Sequence, residues 1–371
     1  MSHQPPLDDT FRAILRAAVQ SEASDIHLKP GSPPVVRIDG ELVPVEAPTP
    51  TDAWLRVVLR SIIPQHLTTQ FEQAHEADFA FTYQDLRFRV NIFQQRGHPT
   101  VAMRLVKQLM RNFDDLNLPP QIADLASKQR GIVIIGGATG SGKSTTLAAM
   151  VEHVNTSVRK HIVTIEDPIE FLFTDKESII EQREIGIDTA TYSSGLRHVL
   201  RQDPDVIVIG EMRDAESAHA AMSAANIGRL VFTTLHTADT IQSVQRVLEF
   251  FPSSERDFAR RLFAETLTGV VCQRLVRSEQ SGTIPAAEVL LNSPSIARMI
   301  AEEHLDKIRG ALELGGPDGM QTFDQHLNEL VREGRISRDE AIINAANPDL
   351  MRMAFQGVVV SESQRILQSR S

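Results

Sequence analysis

The chain has 371 residues, which is enough for two or three domains of ordinary size. Hydrophobic residues make up 42% and charged residues 23%, a composition that fits a globular protein with a full core and excludes disordered and fibrous classes. The formal net charge of -10 argues against sequence-independent binding to nucleic acid, because such binding needs a positive surface.

The cysteine content and the amino terminus favour a reducing, cytoplasmic compartment. Cys272 is the only cysteine, which excludes disulfide frameworks and cysteine-based zinc sites and fits a reducing environment. The amino terminus lacks the basic start and the apolar stretch of a signal peptide. No run approaches the roughly 18 to 20 apolar residues that span a bilayer. We therefore expect a cytoplasmic protein that associates with a membrane peripherally, through a partner.

Residues 1–106 are predicted to form an α+β domain with an antiparallel sheet. The apolar residues near the amino terminus recur at helical spacing, and the later segments alternate as strands do. The expected elements are, in chain order, a helix over 11–23, a two-stranded hairpin around Asp39-Gly40, a helix over 51–63 that stops at Pro64, and strands over 77–81, 86–93 and 100–106.

The rest of the chain divides into a linker, a core and a helical region. Residues 107–120 contain two asparagines and Pro119-Pro120 and are predicted to be an irregular linker. Residues 121–290 alternate strands with helices, as a βαβ architecture requires. Four continuous apolar runs, typical of strands buried on both faces of a parallel sheet, cover 131–136, 161–165, 206–209 and 230–235. Residues 291–371 are predicted to form a helical carboxy-terminal region, with helices over 322–332 and 337–345.

The first apolar run leads into a complete GxxxxGK[ST] motif. Its glycines let the backbone curl so that N–H groups face phosphate oxygens, and Lys143 adds a cation near the β- and γ-phosphates. Ser144 offers a hydroxyl to Mg²⁺, and the helix that follows directs its positive end at the anion. We therefore expect ATP and Mg²⁺ as cofactors. The predicted nucleotide-binding residues are Gly137, Ala138, Thr139, Gly140, Ser141, Gly142, Lys143, Ser144 and Thr145.

The other three runs lead directly to Glu166, Glu211 and His236. Ligands of parallel sheets bind beyond the carboxyl ends of the strands, so these side chains are expected near the phosphate loop. Glu166 is the candidate general base that polarises the attacking water. Glu211 is the candidate metal residue beside Ser144, and His236 is the candidate sensor of the γ-phosphate. The alternative for each is a structural role, such as a surface acid or a hydrogen-bonded histidine.

Hydrolysis also needs positive charge on the far side of the γ-phosphate. Arg197 and Arg201 are four residues apart and are expected on one face of a helix, whereas Arg87, Arg89 and Arg104 lie on amino-terminal strands. Any of them could act from a neighbouring subunit as an arginine finger. We take Arg104 and Arg201 as the candidate catalytic arginines. The alternative for each is an arginine that is solvated or paired with a carboxylate.

Together these residues resemble the secretion-type ATPases, and more closely the PilT/PilU-like retraction ATPases of type IV pili. The resemblance covers nearly the whole chain. The segments that carry it are 24–28, 87–93, the phosphate loop, 164–171, 200–205, 210–214, 234–237 and 319–324. It implies a hexameric ring in which a PAS-like amino-terminal domain precedes a RecA-like P-loop core and a helical carboxy-terminal appendage. It also implies that ATP binds between the two domains, that the acid matching Glu166 acts in hydrolysis, and that the acid matching Glu211 serves the metal.

The activity implied by this resemblance is type IV pilus retraction, the basis of twitching motility. The motor would move an inner-membrane platform protein, alone or beside a paralogous pilus ATPase, so that pilin subunits return to the membrane. Pilus extension ATPases carry a longer amino-terminal region and a four-cysteine metal site. Because this chain has a single cysteine, it is not expected to be an extension ATPase. Where PilT-type motors carry an Ala-Ile-Arg motif, this chain reads Ser-Ile-Ala-Arg over 295–298, so a principal motor and an accessory paralogue both remain open.

Two other functions share the phosphate loop. A small-molecule kinase would need an acceptor site and a lid, and the sequence has no lid-like arginine-rich insertion. A nucleotide-switched accessory subunit would bind ATP and assemble but turn over little. The motifs do not give the direction of movement, because one hydrolysis cycle can drive either assembly or disassembly.

Overall fold

The computed structural model describes residues 7–38, 40–84, 86–106 and 113–356. Contacts divide these residues into two compact units, one formed by the described residues up to 106 together with 170–172, and the other by the remainder. Part of the predicted linker, 107–112, and the end of the predicted carboxy-terminal region, 357–371, lie outside the described residues. Among the described helices, none is both long enough and apolar enough to span a bilayer.

The amino-terminal unit is an antiparallel sheet packed against helices. Its elements are α1 (Asp9–Gln20), β1 (Asp25–Leu28), β2 (Val35–Ile38), β3 (Glu41–Pro44), α2 (Asp52–Ile62), α3 (Gln65–Ala74), β4 (Glu76–Tyr83), β5 (Leu86–Gln95) and β6 (His98–Leu105). The strand order is β3-β2-β1-β6-β5-β4, and every neighbouring pair is antiparallel. Phe11 and Leu15 of α1, Leu55 of α2 and Phe88 of β5 are fully buried in its core. The predicted α+β class of this unit is confirmed.

Strand β1 and helix α3 are the elements of this unit that the sequence did not predict, because residues 24–34 and 65–76 were assigned no element. Pro64 ends α2 but also takes the position before the first residue of α3, with an extended backbone at φ -61° and ψ 139°. Leu67 and Phe71, four residues apart, pack α3 against the core. Two apolar contacts on an otherwise polar segment give a weak periodic signal.

The second unit is built on a seven-stranded sheet in the order β13-β12-β7-β11-β10-β8-β9. Its first elements are α4 (Phe113–Leu116), α5 (Pro120–Ala126), β7 (Gly131–Gly136), α6 (Lys143–Ser157), β8 (His161–Glu166), β9 (Ile179–Glu184), α7 (Tyr192–Val199), β10 (Val206–Ile209), α8 (Ala215–Asn226) and β11 (Leu230–Leu235). The elements that follow are α9 (Thr240–Glu249), α10 (Ser253–Thr266), β12 (Leu267–Arg277), β13 (Thr283–Leu291), α11 (Pro294–Ala301), α12 (Ile308–Leu314), α13 (Phe323–Arg332), α14 (Arg338–Asn344) and α15 (Pro348–Phe355).

The four apolar runs form parallel strands that are buried on both faces. Strands β7, β11, β10 and β8 are neighbours in the sheet and pair in parallel. Alternate residues of β7 point into different clusters: Ile132 and Ile134 pack with α7 to α10, whereas Val133 and Ile135 pack with α5 and α6. Because helices cover both faces, no position on these strands needs a polar residue, which explains the continuous apolar pattern. The predicted α/β core is confirmed.

Three more strands extend the sheet at its edges. Strand β9 pairs in parallel with β8, β12 pairs in parallel with β7, and β13 returns antiparallel to β12. Beyond β13, the chain continues as the predicted carboxy-terminal helices. Helix α13 covers the outer edge of β13, where the Ala287 N–H donates to His326 Nδ1 at 2.9 Å and Gln321 Nε2 donates to the Ala287 carbonyl at 3.0 Å. The polar backbone groups of Ala287 at this edge are thus hydrogen-bonded by side chains of the carboxy-terminal region, and those of Val289 pair with the main chain of Gln321.

Candidate nucleotide-binding and hydrolysis site

The parallel register brings the ends of four strands to one edge of the sheet. Gly136 pairs with Leu235 across β7 and β11, and Ile209 pairs with Thr233 on β11 and with Ile165 on β8. The residues that continue each strand therefore leave the sheet at the same edge, which is where parallel sheets bind ligands. These continuations are the phosphate loop, His236, Glu211 and Glu166.

The phosphate loop has the backbone conformation that its glycines permit. Gly142, the residue before α6, has a φ of +90° and is left-handed. A Cβ at Gly142 would lie 2.8 Å from Gln273 Nε2, and one at Gly137 would lie 2.7 Å from the Gln273 carbonyl oxygen. The left-handed backbone of Gly142 curls the loop as phosphate binding requires, and the Gln273 carbonyl leaves no space for a side chain at Gly137. Helix α6 begins at Lys143, and its amino-terminal end faces the loop.

Lys143 lies inside the curl of the loop. Its side chain is buried, and its Nζ donates to the carbonyl oxygens of Gly137 at 2.8 Å and Ala138 at 3.0 Å. The same nitrogen is 3.5 Å from His236 Nδ1. The predicted phosphate-binding cation and the predicted γ-phosphate sensor are therefore in contact.

Glu211 lies on the other side of His236. Its Oε1 is 3.6 Å from His236 Nε2, and its Oε2 accepts a hydrogen bond from Arg213 Nε at 2.9 Å. Arg213 also reaches Asp167, with 3.6 Å between Nη1 and Oδ2. The hydrogen bond that Arg213 donates to Glu211 raises the pKa of the guanidinium, which stays charged. Lys143, His236 and Glu211 form a continuous polar chain along the edge of the sheet.

Glu166 is held in place by two hydrogen-bond donors. Thr164 Oγ1, on the same strand, donates to Glu166 Oε1 at 2.7 Å, and Gln182 Nε2 of β9 donates to the same oxygen at 3.3 Å. Gly210 places the second carboxylate nearby, because a Cβ there would lie 3.3 Å from the Glu166 Cα. Glu166 and Glu211 thus stand at the ends of adjacent strands. Gln182 is not among the predicted site residues, because β9 is not among the predicted strands.

Tyr192, the first residue of α7, lies among these acids and was also missed. Its hydroxyl would lie 3.1 Å from a Cβ at Gly210, and the Arg213 guanidinium is 6.0 Å from the centre of its ring. Burial, reinforced by the charge of Asp167, raises the pKa of Tyr192, so the phenol keeps its proton at neutral pH. Its signal in the sequence, a single tyrosine at a helix start, is too weak to be found there.

Gln273 of β12 supports the phosphate loop from behind. The side chain is buried, and its Nε2 donates to the Ser141 carbonyl at 2.6 Å. Gln273 and Ser141 are far apart in the sequence, and only the pairing of β12 with β7 brings them together. No local motif marks this residue.

The structure corrects the expectation for Arg197 and Arg201. The expectation that Arg197 and Arg201 share a helix face is wrong, because α7 ends at Val199. Asp203 adopts a left-handed φ of +53° before Pro204, and a proline disfavours helical backbone in the preceding residue. Arg197 instead pairs with Glu216 at 3.1 Å.

Arg104 lies on β6 of the amino-terminal unit. Its Nε donates to Asp25 Oδ1 at 2.8 Å, while 70% of its side chain remains exposed. Pairing with a carboxylate is the alternative to a catalytic role that was given for this arginine above. The exposed part of the Arg104 side chain leaves the guanidinium accessible to other groups. The catalytic roles of Arg104 and Arg201 stay predictions.

The residues present at the edge suit Mg²⁺. The Ser144 hydroxyl and the Glu211 carboxylate supply hard oxygen donors, the type that Mg²⁺ prefers, and Mg²⁺ in phosphate sites is held by one or two such protein groups together with the substrate. Ser144, in the first turn of α6, and Glu211, which follows β10, are both partly exposed.

Comparison with known proteins gives the family. The family described as "Type II/IV secretion system protein" matches residues 2–333. The chain belongs to this family. The match covers the amino-terminal unit and the seven-stranded sheet with its phosphate loop.

Individual members of the type II/IV secretion family align along almost the whole chain. The type IV pilus retraction ATPase PilT of Pseudomonas aeruginosa is 37% identical over 337 residues, covering 91% of this chain and 98% of its own. The type IV pilus ATPase PilU of the same organism is 34% identical and covers 93% of this chain and 91% of its own. A crystal structure of the pilus retraction motor PilT with bound ADP superposes with a TM-score of 0.85 at 35% identity, covering 93% of this chain and 98% of that chain.

Proposed function

We propose that this chain is an ATP-hydrolysing motor that drives type IV pilus retraction and so twitching motility. The observation that carries the proposal is the polar chain of Lys143, His236 and Glu211 at the edge of the sheet, beside the phosphate loop and Glu166. It is supported by relatives named as the retraction ATPase PilT and the pilus ATPase PilU, which match over nearly their full length.

The phosphate loop binds the polyphosphate of ATP through the backbone N–H groups of residues 137–144. On binding, Lys143 exchanges the carbonyl oxygens of Gly137 and Ala138 for phosphate oxygens, because its ammonium group already lies inside the curl. In the proposed reaction His236 hydrogen-bonds the γ-phosphate, a role that its contacts with Lys143 on one side and Glu211 on the other support.

Glu166 is the general base of the proposed reaction. Thr164 and Gln182 hold one of its oxygens, so the carboxylate is oriented before the substrate arrives. It takes the proton of the water that attacks the γ-phosphorus. Ser144 and Glu211 would hold Mg²⁺, which neutralises charge on the phosphates.

The proposed motor works as a homo-oligomeric ring, most simply a hexamer, at the cytoplasmic face of the inner membrane. In this arrangement Arg104 and Arg201 supply positive charge across subunit boundaries. The ring acts on an inner-membrane platform protein and can work beside a paralogous pilus ATPase. The existence of PilU next to PilT in one organism supports the latter point.

Steady-state phosphate release by the purified chain with Mg-ATP tests the enzymatic part. We expect turnover to ADP and phosphate that Lys143→Ala abolishes. Lys160→Ala removes a lysine paired with Asp205 at 3.5 Å at the amino-terminal ends of β8 and β10, away from the site, and should keep the wild-type rate. Stoichiometric phosphoryl transfer to an added acceptor would instead support a kinase.

The mechanical part is tested in cells. A deletion strain should carry excess, non-retracting pili and lose twitching, whereas bald cells would mean that the motor drives extension. The second candidate, an accessory subunit with little turnover, is favoured by the segment 295–298, where α11 carries Arg298 paired with Glu302 at 2.8 Å instead of the expected motif. Tight nucleotide binding without phosphate release would support it.

A further inference from the structure

The loop that carries His236 is folded onto the first turn of α9. Thr237 Oγ1 lies 2.6 Å from Ser243 Oγ, and Ser243 Oγ donates to the Asp239 carbonyl at 2.9 Å. Asp239 in turn caps α9 by accepting the Gln242 N–H at 2.8 Å. Because residues 237–239 are bound to this turn, the position of α9 fixes the position of His236.

The same turn is in contact with the strand that precedes the phosphate loop. A Cβ at Gly136 would lie 2.8 Å from Thr237 Oγ1 and 3.1 Å from Ser243 Oγ. Ser243 Oγ is also 3.3 Å from Cys272 Sγ on β12. The packing around Gly136 leaves no free space, so a displacement of α9 would also move the His236 loop and the start of the phosphate loop.

Glu288 holds this turn from the outer strand. Its carboxylate is almost fully buried, and its Oε1 accepts hydrogen bonds from the Thr240 N–H at 3.0 Å and from Thr240 Oγ1 at 2.8 Å. Thr240 is the first residue of α9, so the carboxylate lies at the positive end of the helix. A buried carboxylate is tolerated only where such partners compensate for the loss of water.

The other oxygen of Glu288 faces the carboxy-terminal helices. Arg309 Nη1 of α12 lies 3.5 Å from Glu288 Oε2, and the Arg309 side chain is about one-third exposed. The buried carboxylate of Glu288 therefore contacts two elements. One is α9, which holds the His236 loop in position, and the other is α12, which lies outside the sheet.

We propose that Glu288 is a positioning residue that couples helix α12 to the His236 loop, with Arg309 as the group that reports the position of α12. When α12 moves away, the buried carboxylate loses its cation and is held by Thr240 alone, so the first turn of α9 and His236 shift together. The coupling runs in both directions, because a change at the nucleotide must act on α12 with the same free energy. The inference rests on the proposed function, since it gives the carboxy-terminal helices a part in ATP hydrolysis.

The kinetic test uses Arg309→Gln, Arg309→Lys and a matched control, Arg352→Gln, which removes the surface ion pair between Arg352 and Asp349 on α15. Rates are normalised to the number of ADP-binding sites, so that partly unfolded protein does not count. We expect Arg309→Gln to lower kcat about fivefold with KM for ATP nearly unchanged, and Arg309→Lys to recover most of it. Equal effects in Arg309→Gln and Arg352→Gln, or a loss confined to KM, would overturn the inference.

Hydrogen exchange provides a test that does not depend on turnover. Without nucleotide, peptides covering residues 236–243 should exchange at least about threefold faster in Arg309→Gln than in the wild type. Their exchange rate in Arg352→Gln should equal that of the wild type. A non-hydrolysable ATP analogue with Mg²⁺ should alter exchange over residues 308–314 in the wild type but not in Glu288→Gln. Unchanged exchange over 236–243 in Arg309→Gln overturns the coupling even if the chain hydrolyses ATP. A wild type without turnover contradicts the proposed function, while the exchange result still decides the coupling.

Discussion

His326 makes the attachment of the carboxy-terminal helices sensitive to pH. Its Nδ1 accepts the Ala287 N–H at the edge of β13, which requires that this nitrogen carry no proton. Burial, assisted by the nearby charge of Arg335 and opposed by that of Glu333, lowers the pKa of His326 from 6.5 to about 4. The folded state therefore keeps the ring neutral at pH values where the unfolded chain protonates it.

The sign and size of the effect follow from this difference in pKa. Between pH 6.5 and 4 the unfolded chain binds the proton and the folded chain does not, so stability falls as the pH falls through this window. With a folded pKa of about 4, the loss between pH 7 and pH 5 amounts to about 2 kcal/mol. Carboxylates contribute little over this range, because their unfolded pKa values lie near 4.

Urea denaturation at pH 7 and pH 5 measures this effect when the wild type is compared with His326→Gln. Glutamine keeps an acceptor for the Ala287 N–H but does not titrate, so the variant should lose about 2 kcal/mol less than the wild type between the two pH values. His219→Gln, on the exposed face of α8, is the matched control and should behave as the wild type. Identical pH dependence in the wild type and His326→Gln would show that protonation of His326 does not cause the loss of stability.

Three further predictions concern the nucleotide site. Glu211→Gln should lower phosphate release at limiting Mg²⁺ and recover partly at high Mg²⁺, as measured by Mg²⁺ titration; an unchanged titration curve would remove Glu211 from the metal site. Gln273→Leu should weaken ADP binding about fivefold in a fluorescence titration, since the hydrogen bond to Ser141, worth about 1 kcal/mol, is lost; unaltered affinity would contradict the supporting role of Gln273. Mixing Arg104→Ala with Lys143→Ala should restore part of the activity that each lacks alone, and a mixture that stays inactive would argue against an arginine supplied by a neighbour.

The sequence predicts the core of the fold because the relevant signals are local. Each of the four central strands is a continuous apolar run, and in a parallel sheet such runs end at one edge. The phosphate loop, Glu211 and His236 follow these runs directly, so their proximity needs no knowledge of long-range contacts. The contacts of Lys143 with His236 and of His236 with Glu211 agree with that expectation.

The residues that the sequence did not reveal act over long separations. Gln273 reaches Ser141 only through the pairing of β12 with β7, and Gln182 reaches Glu166 only through the edge strand β9. The wrong expectation for Arg201 has a different cause. The spacing of apolar residues predicts a helix through Arg201, but α7 ends at Val199. The chain then turns at Asp203, which has a left-handed backbone before Pro204.

The proposed reaction is the hydrolysis of ATP with Glu166 as the general base. Phosphate release by Glu166→Gln at saturating Mg-ATP, measured together with ATP affinity, tests it most directly. We expect wild-type affinity with a rate lowered by a factor of about 100 to 10,000, because glutamine fills the same place and accepts a hydrogen bond from Thr164 but takes no proton from water. A variant that releases phosphate at the wild-type rate would contradict it.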